Sequence, residues 1–277
     1  MSYRIAADSS ASMFELEGAD FAYAPLKIIT KEKEYVDTPE LDVAQMMADL
    51  KTYKGTSGTS CPNMMEWLDA FGEAENVFAI AITSNLSGSC NAAMQAAQEY
   101  MQQHPERRVC VLDSLSAGPE LRLIAENLRG SIDAGMAFEE IEAAAREYMK
   151  HTRLGFILPS LNNLARNGRV SPTVAKIAGV LGICLVGKAS DVGTLQQENK
   201  CRGEKRSAEQ LYANMKREGF AGGKVRIGHN LNLKLAEMFA SLIREEYPDC
   251  DIEIRQNTGL CCFYAEEGGL MVGYETV

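Results

Sequence analysis

The stretch NVFAIAITSNLSGSCNAAMQAAQEYMQQHPERRVCVLD, residues 76–113, contains the pattern that decides the fold class. Residues 76–83 form a short run of small and β-branched apolar side chains, which is typical of a buried strand. Residues 87–103 have helical spacing, and residues 107–113 again have the composition of a strand. A strand, a helix and a second strand in succession favour an α/β fold with a mostly parallel, layered sheet.

The same alternation continues on both sides of this stretch. Towards the N-terminus and centre we predict a strand at 3–8, extended segments at 25–30 and 33–38, and helices at 41–53, 61–74, 119–135 and 137–151. Further on we predict strands at 154–160, 224–230, 251–257 and 268–276, and helices at 161–182, 205–220 and 233–247, the first of them with a break at Asn167–Gly168. The fold class is therefore predicted as α/β with two domains: residues 1–151 with the mostly parallel sheet, and residues 152–277 as a C-terminal α/β domain.

The composition argues against several classes of function. The chain has 277 residues, of which 46 % are hydrophobic, and a formal net charge of −10. Because phosphate backbones require a basic surface, we expect no nucleic-acid partner. No apolar run is long enough for a membrane span or a secretory signal, so we expect no stable membrane insertion. The eight cysteines are scattered without a CxxC pair, which predicts reduced thiols in a cytoplasmic protein.

Four loops are rich in hydroxyl side chains: residues 7–12, 55–63, 83–89 and 112–118, called here the hydroxyl-rich loops. At least three of them follow predicted strands, and the carboxyl ends of parallel strands meet at one edge of a sheet, where ligands bind. Helices that follow such loops point free N–H groups at that edge. The loops therefore predict a neutral cradle for a carboxylate or a phosphate. Because Ser, Thr and Asp are also common helix caps, a purely structural role stays open.

Residues for catalysis are scarce in these loops. None of the three histidines lies in them, and the nucleophile pattern GxSxG is absent. GICLVGKA, residues 182–189, begins like a phosphate-binding P-loop, but Ala189 stands where the motif requires Ser or Thr. Cysteines, histidines and carboxylates do not cluster with the spacing of metal ligands. We therefore predict no catalytic residue, no metal site and no cofactor.

Motifs inside and beyond the hydroxyl-rich loops resemble those of the DegV family. They follow the family order over nearly the whole chain: DSSAS (8–12), TSCP (59–62), NLSGSCNAA (85–93), LDS (112–114), LNNLARNGRVS (161–171) and RGEKRSAEQL (202–211). The resemblance implies a protein, not an enzyme, that binds one long-chain fatty acid between its two α/β domains. Some members of the family present the fatty-acid carboxylate to a separate kinase subunit.

The resemblance also implies a set of fatty-acid-binding residues. Thr59 and Ser87 would donate hydrogen bonds to the carboxylate, and Gly88 would let the backbone approach it closely. Arg169 would orient the head group or balance its charge. The hydroxyl-rich loops would then hold a carboxylate without attacking it. Each methylene buried in an apolar tunnel would add about 0.8 kcal/mol, so the tail would dominate the affinity.

Asn257 is a departure from the family pattern, because the family has a histidine at that place in its C-terminal motif. Asparagine still forms hydrogen bonds but carries no charge. If the family's histidine helps to pass the carboxylate to a kinase, this chain is predicted to bind lipid without serving that kinase. Two alternatives remain open at this stage. One is a binding protein for a different hydrophobic acid, and the other is a phosphotransferase-like enzyme that uses His229 as its base.

Overall fold

A computed structural model describes residues 2–171 and 182–277 of the chain. In chain order, its strands β1 to β13 are Tyr3–Asp8, Phe21–Ala24, Lys27–Ile29, Glu34–Val36, Gly58–Ser60, Asn76–Ala81, Arg108–Asp113, Thr152–Leu158, Ile183–Ala189, Leu195–Arg202, Val225–His229, Ile252–Gln256 and Leu270–Glu275. The α-helices α1 to α9 are Val43–Thr52, Met64–Phe71, Ser89–Gln103, Pro119–Asp133, Phe138–Tyr148, Asn162–Arg166, Glu204–Arg217, Leu233–Glu246 and Gly259–Ala265. Short 3-10 helices cover Ser9–Ala11 and Met149–His151.

A parallel sheet in the order β2-β1-β6-β7 forms the framework of the N-terminal part of the chain. All three strand pairs in it are parallel, which confirms the predicted sheet. Every residue of β6 is buried, because this strand lies inside the sheet and is covered on both faces. On one face α4 and α5 pack over Ile5 and Phe78, and on the other α2 and α3 pack over Val77 and Ala79. The layered architecture predicted from residues 76–113 is thus confirmed.

A mixed sheet of six strands, in the order β10-β9-β8-β13-β11-β12, forms the framework of the C-terminal part. Only β11 and β12 pair in parallel, and the other neighbours in this sheet are antiparallel. Helices α7 and α8 cover one face, where their apolar stripes pack on Ile157, Val186 and Ile227. The C-terminal α/β class is confirmed, and the division of the chain after residue 151 stays a prediction.

Some elements were not expected from the sequence. Strand β10, LQQENKCR, is mostly polar, and it forms because it pairs along the whole of β9 at the edge of the sheet. Helix α9, GLCCFYA, is too short and too uniformly apolar to show a helical period. The helical segment expected over 161–182, with a break at Asn167–Gly168, begins as α6 and ends at Arg166, which confirms the break: Gly168 has a φ of +73°, which is unfavourable inside a helix. The rest of that predicted helix, residues 172–181, lies outside the described residues.

A small antiparallel sheet, β4-β3-β5, connects the two parts of the fold. It places Thr59 opposite Ile28, and Ile28 packs with Phe263 of α9. Residues near the two ends of the chain therefore meet on this sheet. This contact positions the candidate site described below.

Gly273 marks the place where α4 begins directly on β13. A Cβ atom at this position would lie 2.6 Å from the backbone nitrogen of Glu120 and 2.7 Å from the carbonyl carbon of Pro119. Since backbone atoms cannot move aside as a flexible side chain does, we expect Gly273→Ala to lower the free energy of unfolding by about 1–3 kcal/mol. Urea denaturation measures this change.

Gly130 in the same helix α4 provides the control for this prediction. No atom lies within 4 Å of a Cβ placed there. Gly130→Ala should therefore be neutral or raise stability by up to about 1 kcal/mol, because alanine favours the helix. Equal stability of the two variants would show that β13 and α4 are not in close contact.

Candidate ligand-binding site

A cavity of about 390 Å³ lies between the hydroxyl-rich loops and the six-stranded sheet. Its volume falls within the range of roughly 300–1,000 Å³ that is usual for small-molecule sites. Most of its wall is apolar, with Leu26, Ile82, Leu86, Leu154, Phe156, Leu158, Leu164, Leu195, Leu260 and Met271 among the lining residues. Both parts of the fold therefore contribute to one largely apolar site.

Polar contacts at this cavity bring together three distant segments. The hydroxyl oxygens of Thr59 in β5 and Tyr264 in α9 are 2.6 Å apart. The guanidinium of Arg169 lies over the Tyr264 ring, 5.7 Å from its centroid. The Nε of Arg169 also donates to the carbonyl oxygen of Leu86 at 3.2 Å. Arg169 is thus held between α9 and the loop that contains Ser87.

The loop before α3 supplies Ser87 and Gly88 to the same cavity. The Ser87 hydroxyl accepts a hydrogen bond from the backbone N–H of Ser89 at 3.2 Å, in the first turn of α3. A Cβ atom on Gly88 would lie 3.3 Å from Cys61 Sγ, so two hydroxyl-rich loops touch at this point. Gly88 has an ordinary φ of −75°, and glycine is therefore favoured here by close packing rather than by backbone conformation.

The electrostatics of the site favour a bound anion. Burial raises the pKa of Tyr264, although Thr59 and Arg169 partly oppose the shift, so its hydroxyl stays protonated and can donate a hydrogen bond. Within the described residues, Arg169 is the one charged residue that lines the cavity. Its hydrogen bonds there go to the carbonyl oxygens of Leu86 and Asn167, and it forms no ion pair with a described carboxylate. A pocket whose other described lining residues are uncharged, and which has one cation, suits a ligand with a single negative charge.

Several hydroxyls of the loops are engaged elsewhere. Asp8 is fully buried and accepts hydrogen bonds from Ser10, from the Ser89 hydroxyl at 2.6 Å and from the Ile82 N–H at 2.9 Å. Burial raises the pKa of this carboxyl group. Ser9 accepts from the Leu26 N–H at 3.0 Å. In the loop at residues 7–12, the hydroxyls of Ser9 and Ser10 therefore serve the structure of the protein.

The loop at residues 112–118 forms a similar buried network. The Ser116 hydroxyl donates to Glu120, which also accepts a hydrogen bond from the Thr152 hydroxyl at 2.7 Å. Burial raises the pKa of Glu120. The predicted cradle of four loops is therefore reduced mainly to the segments that contain Thr59 and Ser87.

Asn257 is not brought together with the other four predicted residues. Its side chain is buried, with 1 % exposure, and donates to Asn230 Oδ1 at 2.7 Å. It packs against Gly228 of β11, where a Cβ atom would lie 2.0 Å from Asn257 Oδ1. Thr59, Ser87, Gly88 and Arg169 all line the cavity, whereas Asn257 does not.

Tyr264 and Leu260 are lining residues that sequence reasoning missed. Tyr264 is separated from Thr59 by 205 residues, and its short apolar helix shows no period that would predict a polar contact. Cys61, in the hydroxyl-rich loop at 55–63, also lines the cavity.

The enzyme alternative finds little support in the described residues. His229 is buried at the end of β11 and is not among the lining residues, and burial lowers its pKa. Residues 183–189 of the P-loop-like segment form strand β9. In the parts of the chain that the structure describes, no cluster of three His, Cys, Asp or Glu residues is arranged to hold a metal. No helix in these parts is long and apolar enough to cross a membrane.

Comparison with known proteins gives matches over the full length of the chain. A sequence model of the DegV family of uncharacterised proteins matches residues 2–276. A DegV domain-containing protein of Streptococcus pneumoniae is 40 % identical over 279 residues, with 99 % of each chain covered. These matches concern the whole fold and not a single motif.

Two solved structures are similar over 100 % of both chains, each with a TM-score of 0.98. One is a DegV family protein from Eubacterium eligens loaded with heptadecanoic acid, at 43 % identity. The other is the fatty acid kinase B3 protein of Streptococcus pneumoniae loaded with linoleic acid, at 40 % identity. A DegV family structure from Ruminococcus gnavus refined with vaccenic acid is 25 % identical, with a TM-score of 0.90 and 99 % coverage of both chains.

Proposed function

This chain belongs to the DegV family, and from that premise we propose that it is a carrier of one long-chain fatty acid. The carboxylate would bind at Thr59, Ser87, Gly88, Arg169 and Tyr264, called here the head-group site. The acyl tail would occupy the apolar remainder of the cavity. Similar structures of the same family that contain heptadecanoic and linoleic acid support this assignment.

The charge distribution of the cavity carries the proposal. Among the described lining residues, Arg169 alone is charged, and the hydroxyls of Thr59, Ser87 and Tyr264 line the same cavity. A phosphate monoester carries up to two negative charges, whereas a fatty acid carries one charge and a long apolar tail. The single cation and the apolar wall match the fatty acid. At about 0.8 kcal/mol for each buried methylene, the tail supplies most of the affinity and the head-group site supplies orientation.

We further propose that the protein performs no chemical step on its ligand. A hydroxyl or thiol nucleophile is activated by a neighbouring base, and general acid–base catalysis needs such a group within hydrogen-bond reach of the reacting atom. The described residues that line the cavity include no histidine, carboxylate or lysine. Presentation of the carboxylate to a separate kinase subunit is the proposed fate of the ligand, by analogy with the fatty acid kinase B3 protein. The role of Asn257 in that step stays a prediction, as does the cytoplasmic location.

Native mass spectrometry of the purified protein, followed by organic extraction of the ligand, tests the proposed function. We expect one fatty acid per chain, and its identity separates a long-chain acid from a different hydrophobic acid. In Thr59→Ala/Ser87→Ala, the loss of two hydrogen bonds to a charged group should weaken binding by about hundredfold.

Ser84→Ala is the matched control, because Ser84 lies in the same loop as Ser87 but is exposed and outside the cavity. The amount of fatty acid bound per chain in Ser84→Ala should equal that in the wild type. A wild-type protein that contains no lipid, and stays empty after incubation with a mixture of fatty acids, would contradict the carrier function.

A further inference from the structure

Asp37 is a fully buried carboxylate that connects the small sheet β4-β3-β5 to helix α9. It follows β4, and its side chain reaches the start of α9, more than two hundred residues away in sequence. It accepts hydrogen bonds from the N–H groups of Gly259 at 2.6 Å and Leu260 at 3.0 Å, and from the Thr258 hydroxyl at 3.1 Å. Asp37 forms no ion pair with a described residue, so these donors and the Ser9 side chain stabilise its charge.

The contact between Asp37 and α9 leaves little freedom of movement. A Cβ atom on Gly259 would lie 2.9 Å from Asp37 Oδ1 and 2.6 Å from Leu41 Cδ2. The backbone of α9 can approach the carboxylate this closely only because residue 259 is a glycine. The first turn of α9 is thus fixed in position from one side by Asp37.

The same helix carries the side chains that face the cavity. Leu260 and Tyr264 both line it, and the Tyr264 hydroxyl lies 2.6 Å from Thr59 Oγ1. A small shift at the start of a short helix moves the whole helix, and hydrogen-bond energy falls steeply with distance and angle. The position of α9 therefore determines the geometry of the head-group site.

We propose that Asp37 is the positioning residue of the head-group site, since its carboxylate anchors the first turn of α9 and so sets where the Tyr264 hydroxyl lies beside Thr59. The inference deepens the proposed function and rests on it for the nature of the ligand. Asp37 does not touch the cavity itself, and its effect on binding is transmitted through α9.

The chemistry of the carboxylate makes this role testable by pH. An ionised carboxylate accepts at both oxygens, whereas its protonated form, like an asparagine side chain, turns hydrogen towards one of the facing donors. Burial raises the pKa of Asp37 to about 6, although the hydrogen bonds from Leu260, Ser9, Gly259 and Thr258 oppose the shift. Because these hydrogen bonds lower the pKa, a shift of α9 away from the still buried carboxylate would raise it further. Ionisation above about pH 6 therefore favours the anchored position of α9, and protonation below that pH weakens the anchor.

Other titratable groups near Asp37 do not account for the same behaviour. The groups that interact with it or share its surroundings are Asp8, Tyr23, Glu40, Cys261 and Cys262. Burial raises the pKa of Tyr23 and of both thiols, so these stay neutral, while hydrogen bonding lowers the pKa of the exposed Glu40, which stays charged. Asp8, whose pKa is also raised, is present in wild type and variant alike. The ratio of the dissociation constants of the wild type and a variant at Asp37 therefore reports the contribution of Asp37 alone.

The experiment compares heptadecanoic acid binding by the wild type and by Asp37→Asn across the pH range. At about pH 8 we expect the variant to bind about tenfold more weakly. At about pH 5 the ratio of the two dissociation constants, variant to wild type, should approach one, because both proteins then lack the charged anchor. The ionisation of the ligand affects both proteins equally and cancels in the ratio. A ratio that is the same at both pH values, or equal to one throughout, would overturn the proposal.

Asp42→Asn is the matched control. Asp42 lies in the same segment and caps α1 through the Gln45 N–H at 2.9 Å, but asparagine caps a helix equally well and α1 does not line the cavity. The dissociation constant of Asp42→Asn for heptadecanoic acid should equal that of the wild type at both pH values.

Amide hydrogen exchange in the ligand-free proteins separates a failure of this inference from a failure of the carrier function. At about pH 8, after correction for intrinsic rates, the amides of Gly259 and Leu260 should be more protected in the wild type than in Asp37→Asn, because asparagine has one acceptor oxygen where the carboxylate has two. If the wild type binds no fatty acid but shows this exchange pattern, the carrier function fails and the anchor stands. Equal protection in both proteins at about pH 8 would refute the anchor whatever the ligand.

Discussion

Glu126→Gln is expected to lower the free energy of unfolding by about 2–3 kcal/mol, because it removes the charge that accepts three hydrogen bonds from two largely buried guanidinium groups. The side chain of Glu126 in α4 is 9 % exposed and that of Arg226 in β11 is 8 % exposed. Two hydrogen bonds of 2.8 and 2.7 Å join their carboxylate and guanidinium groups. Arg122 also donates to Glu126, at 3.1 Å. The substitution would leave these two largely buried guanidinium groups with only Asp251 and Glu253 as counter-charges among the described residues.

The expected loss is large because Glu126 is the most buried of the acidic partners of Arg226. Burial opposes the charge of Arg226, but hydrogen bonds from its guanidinium to Glu126 and Asp251 more than compensate and raise its pKa. The pair also joins α4 to the six-stranded sheet. Glutamine retains the size of the side chain and some of its hydrogen bonds, so the measurement reports mainly the missing charge.

Denaturation by urea at neutral pH measures this effect, with Glu147→Gln as the control. Glu147 pairs with Lys150 at 2.6 Å, but the two side chains are 62 % and 68 % exposed. An exposed pair of this kind contributes about 0–1 kcal/mol. A loss below about 1 kcal/mol in Glu126→Gln would show that the pair is solvated rather than buried.

Ala189→Trp is expected to weaken long-chain fatty-acid binding by about two-hundredfold. Ala189 ends strand β9 and lines the cavity with a small side chain. An indole there would exclude about four methylene groups of the acyl tail, and each contributes about 0.8 kcal/mol. The resulting loss of about 3 kcal/mol corresponds to the stated change in the dissociation constant. Calorimetric titration with heptadecanoic acid measures it.

The control for this substitution is Ala143→Trp. Ala143 lies on the exposed surface of α5, away from the cavity, so the same indole should leave the affinity unchanged. Thermal unfolding of both variants checks that each remains folded. Wild-type affinity in Ala189→Trp would mean that the tail does not occupy the space beside β9.

Local patterns predicted most of the elements of the fold. Strand β1 was predicted over residues 3–8 and is found there, and β6 was predicted within two residues of its end. Buried strands and amphipathic helices reveal themselves through the period of their apolar residues, which is a local property of the sequence. Strand β10 was missed because its stability comes from pairing with β9 and not from its own composition.

The candidate site was predicted in part, through the motifs of the DegV resemblance. Thr59, Ser87, Gly88 and Arg169 were named from these motifs, and they line one cavity. Asn257 was named in the same way, but its side chain packs on β11 instead. A motif identifies residues that a family shares, but it does not distinguish a residue that faces the ligand from one that supports a neighbouring strand.

The sequence by itself determined the α/β class and the parallel character of the first sheet. It also determined the negative net charge of the chain and the hydroxyl-rich loops beside which a ligand could bind. Only the tertiary structure decided which hydroxyls face the cavity and which serve the buried carboxylates Asp8, Asp37 and Glu120. It also decided that Tyr264 meets Thr59 across 205 residues. The reason is physical: secondary structure follows from side chains close in sequence, whereas the partner of a buried polar group is set by which distant segments pack against it.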